Sequence, residues 1–117
     1  MSISPSIAKL AAKVNHEVSN AMKSFYGEAK GKAFDKLSEE EVHELVVACT
    51  AVGENPNMSP ADVHQLWVDA KLRKGWKQGE VLDQNAMTHP CLVPYEQLSP
   101  EDQVKDVIFL AVVKAML

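Results

Sequence analysis

Two stretches of this chain open with nearly the same four residues, Ser59-Pro60-Ala61-Asp62 and Ser99-Pro100-Glu101-Asp102. A serine there caps orphan backbone N–H groups, and a proline in the first turn forgoes only a donor that would go unused. An acid one turn in faces the positive end of the helix dipole. Each start fixes where a helix begins and leaves few ways to divide the rest. After Ser59 the apolar residues Val63, Leu66, Trp67 and Ala70 recur at helical steps, and Lys71, Arg73 and Lys74 lead to a stop at Gly75. After Ser99 the corresponding stripe is Val104, Val107, Ile108, Ala111, Val112, Ala115 and Met116.

Two more helices follow from the same rules. Ser38-Glu39-Glu40-Glu41 is a capping box, and Val42, Leu45, Val46, Cys49 and Val52 follow it, with Gly53 as the expected stop. The first helix is expected from about Ser4 to Tyr26. Pro5 sits in its first turn, its stripe is Ile7, Leu10, Ala11, Val14, Val18, Ala21, Met22 and Phe25, and Gly27 and Gly31 end it. Asn55-Pro56-Asn57 is a turn.

Between Gly75 and Leu98 the helical period disappears. Gly75, Gly79, Pro90 and Pro94 interrupt the stretch, and Val81-Leu82 and Leu92-Val93 are its short apolar pairs. The expectation is an ordered loop with a small two-stranded ribbon, held by Trp76, Pro90, Pro94 and Tyr95 against the third and fourth helices. A loop this long inside a compact domain is uncommon and usually functional. The fold class is therefore mainly α: about four helices, a long ordered loop and a minor β ribbon. No linker or repeat divides the chain, so one domain spans residues 1–117.

Composition bounds the function. A chain of 117 residues, 46% hydrophobic and 24% charged, can bury a core without a disulfide or a structural metal. A net charge of −4 argues against a nucleic-acid partner. Cys49 and Cys91 read as free thiols of a reducing compartment. Met1 to Lys13 holds no apolar signal-peptide core. The longest apolar run, Val107 to Val113, has seven residues, and a membrane span needs about 20. A cytoplasmic protein with no membrane partner is expected.

The residues that carry chemistry are few. His43, His64, His89 and Cys91 lack the close spacing of a zinc site, so no metal and no cofactor is expected. Cys91 could be paired with His89 or His64 as thiol and base. Its neighbours Pro90, Leu92 and Val93 suit a buried, inert thiol better. The acids lie at helix starts or on solvent faces, and no phosphate-binding glycine loop is present. No catalytic residue is assigned. What remains is an aromatic and cationic set: Trp67, Lys71 one turn on, Trp76, Lys77, and His89 and Tyr95 from the long loop. Rings stack on a planar base and ammonium groups meet phosphate, so this set suits a planar anionic ligand. Aromatic residues in a small domain are more often core anchors, however, and lysines at a helix end are usually solvated, which is the reading of an interaction module. His16 and His64, beside apolar stripes, read as structural histidines that pin loops, with ligand contact as the alternative.

One block of the sequence carries a resemblance. His64-Gln65-Leu66-Trp67, Lys71, Gly75-Trp76-Lys77-Gln78-Gly79, Asp83, Thr88-His89-Pro90-Cys91-Leu92-Val93-Pro94-Tyr95 and Leu98 stand in the order H-x-x-W, K-x-x-x-G-W-x-x-G, D, H-P-C-L-V-P-Y, L. This resembles the ryanodine-receptor (RyR) repeat. Lys105-Asp106 and the tail from Ile108 to Val113 are similar to the closing helix of stand-alone bacterial and phage members, and His16-Glu17 to their opening helix. The resemblance implies an α-rich module with a short β ribbon. In the animal channels paired repeats form a clamp that accepts adenine nucleotides. Carried over, Trp67 belongs to the cavity wall, with Trp76, Lys71 and Tyr95 beside it. A single copy implies that the clamp would be a homodimer or higher homo-oligomer. The resemblance implies a non-catalytic binder of a nucleotide-derived signal. In a phage setting it would be a sponge for a host immune second messenger, acting in the host cytoplasm. A protein–protein scaffolding module and an enzyme acting on such ligands are the alternatives.

Overall fold

The computed structural model describes residues 3–117; the domain read over residues 1–117 is seen from Ile3 on, and Met1 and Ser2 lie outside the described residues. Its elements are α1 (Pro5–Phe25), α2 (Glu39–Glu54), α3 (Pro60–Arg73), β1 (Lys77–Gln78), β2 (Thr88–His89) and α4 (Pro100–Ala115), with single 3-10 turns at Phe34–Lys36 and Tyr95–Gln97. The chain is mainly α, as its helix-start residues require.

Each helix begins where its serine places it. The Ser4, Ser38, Ser59 and Ser99 hydroxyls accept the N–H groups of Ile7, Glu41, Asp62 and Asp102. At Ser38 and Ser59 the third helical residue, Glu41 or Asp62, reaches back to the cap N–H and closes a full box. Gly75 ends α3 with φ +92°, a backbone that side chains resist. Gly53 does not end α2. The helix runs on to Glu54 and is capped by Asn55. Gly53 is there for closeness: a Cβ on it would come within 2.6 Å of Ile3, so Ile3 lies directly on the helix.

The core is shared by all four helices: Ala11 and Ala12 of α1, Cys49 and Val52 of α2, Val63 of α3, Leu110 and Val113 of α4, with Phe34 from the first connection. Two helices present different faces from those their apolar periods indicate. In α1 the buried residues are Ala8, Ala11, Ala12, Asn15 and Asn20, whereas Leu10 is 48% and Phe25 84% exposed. In α4 Leu110 and Val113 are buried and Val107, Ala111 and Ala115 are exposed. The run Val107–Val113 is apolar all round, so period alone cannot choose its inner face. In α1 the inner face is made of small residues, which let α2 and α4 approach.

The first connection is held by polar side chains of α1. Glu17 accepts from the Phe34 N–H, Asn20 bonds both Gly31 and Lys32, and His16 Nε2 donates to the Lys32 carbonyl at 2.6 Å. His16 is thus a loop-pinning histidine, and Phe34 is set into the core beside it.

Candidate functional site

The long loop leaves α3 at Gly75 and returns to α4 at Ser99. Its ribbon is parallel, pairing Lys77 with Thr88 and Gln78 with His89, and Asp83 bridges back to Thr88 in the antiparallel sense. Three local features make so small a ribbon possible. Gly79 lies against Thr88, where a Cβ would come within 2.7 Å of the threonine Cβ. The Asp83 carboxylate accepts the N–H groups of Asn85 and Ala86 in a tight turn. Met87 takes a left-handed backbone, φ +57°, just before the second strand. Val81 and Leu82, one of the two apolar pairs, are exposed at the tip, while Leu92 of the other is buried.

Beyond the ribbon the loop is fastened differently from the way its prolines indicate. Pro90 and Pro94 are exposed. The fastening is polar: His64 Nε2 donates to the Val93 carbonyl at 2.8 Å, the Tyr95 hydroxyl donates to the Gln103 carbonyl, and the Gln103 amide donates to the Tyr95 carbonyl. Tyr95 does bind the loop to α4, as expected. Its partner Gln103 carries no local sequence signal of this role.

This arrangement gathers most of the residues singled out from the sequence. The His64 ring stacks on Trp67 with centroids 5.6 Å apart, and Tyr95 is tilted against His64 at 6.2 Å. His89 meets Trp67 edge-on at 4.8 Å and Trp76 at 6.4 Å. The Lys71 ammonium lies 4.6 Å from the Trp76 centroid and 6.0 Å from that of Trp67. Both indoles therefore share the same two neighbours, Lys71 and His89. Lys77 is not gathered in. It sits exposed on β1, and among the described residues it joins no salt bridge or ring contact. His64 is only 5% exposed. It stands behind Trp67 as its support and pins the loop; the ligand-contact role does not fit a ring so covered.

The protonation states follow from these contacts. The Cys91 N–H donates to His89 Nδ1 at 3.0 Å, so the proton of the neutral ring sits on Nε2. Burial, helped by the Lys71 charge, pulls the His89 pKa down to about 4. His89 is then neutral near pH 7 and offers one donor. Lys71 is pulled below the ordinary lysine range by burial, with the Glu41 charge opposing. The Cys91 thiol points to Asp102 at 3.5 Å, and burial with that carboxylate beside it pushes its pKa up to about 11. A thiol held protonated in this way is a poor nucleophile. Asp102 is in turn held by Lys105 and Ser99. His64 Nδ1 lies 3.9 Å from Asp106, whose carboxyl is raised to about 6 by burial against the opposing pull of His64. Asp106 is a residue whose place the sequence could have shown: 102, 106, 110 and 113 step by four and three along α4.

The described residues contain no group of three or more His, Cys, Asp or Glu side chains placed to hold a metal ion. No helix among them is long and apolar enough to cross a membrane. A groove of about 600 Å³ lies away from the aromatic residues, between the end of α2 and the outer side of α3, lined by Glu54, Asn55, Met58, Asp62, Gln65 and Asp69.

Fold and face together define a helical domain whose long loop between α3 and α4 is gathered with two indoles, three further rings and a lysine that joins no ion pair among the described residues. A family model for the RyR domain matches residues 50–116. That is more than half of the chain, and the chain belongs to the RyR domain family. The match takes in the end of α2, α3, the whole loop and all of α4.

Proposed function

We propose that this chain is a non-catalytic binding module whose ligand is a nucleotide or a nucleotide-derived signalling molecule. The observation that carries the reading is the pair of indoles, Trp67 and Trp76, sharing one ammonium and one neutral histidine. Rings of this kind stack on a heterocycle, an ammonium meets phosphate, and the His89 Nε2–H supplies a directional donor. The protonated state of Cys91 and its tie to Asp102 favour binding over nucleophilic catalysis. The reading places the protein in the cytoplasm and includes association of two copies, so that two such faces enclose one ligand. If the gene is phage-borne, sequestration of an immune second messenger is the corresponding role.

Calorimetry against ATP, ADP-ribose forms and cyclic oligonucleotides tests the reading. A saturable response is expected, and Trp67→Ala should abolish it while the variant stays folded by circular dichroism. Silence across the whole panel would sink the proposal and favour a protein-interaction module, whose rings serve only as anchors. Mass analysis of recovered ligand separates binding from turnover: intact ligand is expected. Light scattering should give twice the chain mass, and a monomer with and without ligand would remove the paired arrangement.

A further inference from the structure

One indole face of the candidate site is already occupied. Lys71 places its ammonium on Trp76, and among the described residues that ammonium joins no ion pair. Lys74, three residues on, is held by both Glu40 and Glu44. The two lysines share a helix end and differ in what compensates their charge. For Lys74 it is carboxylate. For Lys71, half-buried and partly stripped of water, it is two π faces, an attraction without a fixed direction. A lysine stem is flexible and its ammonium a compact charge, so a stronger acceptor nearby can draw it away.

We propose that Lys71 is a gate and the specificity element of this face: a planar ring reaches the Trp76 indole only when its own anionic group draws the ammonium off. The inference rests on the binding reading above and narrows it. A neutral heterocycle that displaced Lys71 would break the contact with both indoles and give nothing back to a desolvated charge. A phosphate-bearing heterocycle exchanges that contact for a charge-assisted hydrogen bond, which is the stronger of the two. The face therefore selects ligands that join a flat ring to an anion within the reach of one lysine side chain. It rejects free nucleosides although the rings alone would accept them.

Titration calorimetry with adenosine 5′-monophosphate and with adenosine, on the wild-type chain and on Lys71→Met, reads the gate. Methionine keeps much of the stem and removes the charge. The wild type should prefer the monophosphate by about tenfold or more. Lys71→Met should lose that preference while binding adenosine at least as well as the wild type, and Lys71→Arg should retain it. An equal loss for both probes in Lys71→Met, or an unchanged preference, overturns the gate. If the wild type binds neither probe, the adenine-ligand reading fails, and the gate is judged on ligand-free protein. In a Trp67→Phe background Trp76 is the one indole left. There Lys71→Met should raise the acrylamide quenching of its fluorescence and lower the quenching by iodide. Both shifts support an ammonium covering the ring; unchanged quenching overturns it.

Discussion

His89 meets the Trp67 ring and Asp106 faces His64, and their proton affinities are moved in opposite directions. Asp106 has its pKa raised from 3.8 to about 6, so folding favours its protonated form. The stability it contributes is complete below the unfolded value and is lost as pH rises through about 6. His89 has its pKa lowered from 6.5 to about 4, so folding favours its neutral form. Its contribution is complete above the unfolded value and is lost as pH falls through about 4. From about pH 4 to 6 the two slopes oppose each other. Asp106→Asn removes one of them. Urea unfolding at stepped pH should therefore show stability rising with pH more steeply in this variant than in the wild type over that window. Parallel curves would refute the assignment. The tautomer of His64 belongs to the same pair: the Val93 carbonyl can only accept, so Nε2 carries a proton and Nδ1 is left facing Asp106.

Helices and loop show how unevenly the elements could be read from the sequence. The starts of α2, α3 and α4 are written locally, because a cap needs only a serine and the three residues after it. The inner faces of α1 and α4 were not. Leu10 and Phe25 fit the helical period of α1 as well as Ala8 and Ala12 do, and only the neighbouring helices decide that the small residues turn inward. Gly53 has the composition of a stop but serves as a point of close contact with Ile3. The ribbon depends on an equally close contact at Gly79. Gly79→Ala would drive a methyl group to 2.7 Å from the Thr88 Cβ. Relieving that clash should cost about 1–3 kcal/mol. Amide exchange at Lys77 and Thr88 should accelerate while that of α1 and α2 stays unchanged; uniform protection in the variant would show that the approach is not tight.

At the scale of the whole molecule, the loop is positioned by the same packing that stabilises the chain. Val113 is fully buried among residues of α1, α2 and α3, and it lies on the helix that carries Gln103 and Asp106. Val113→Ala should destabilise the protein by roughly 2–3 kcal/mol, read as a lower urea midpoint with unchanged slope. A change within a few tenths of a kcal/mol would mean that the site refills. Leu10, Phe25, Val81, Leu82 and Val107 remain exposed on the single chain.

The residues alone determined the four helices, the mainly α class, the irregular stretch from Gly75 to Leu98 and the set Trp67, Lys71, Trp76, His89 and Tyr95. Caps, turns and period act over a few residues, so they are legible in a string. Tertiary structure alone decided that His64 stands behind Trp67, that Lys77 stays apart, that Gln103 completes the fastening, and that Lys71 lies on the Trp76 ring. Those facts depend on which faces of α3, α4 and the loop meet. Residues nearly 30 positions apart, such as His64 and Val93, are brought together by burial of a shared core, and no local rule of backbone conformation carries that information.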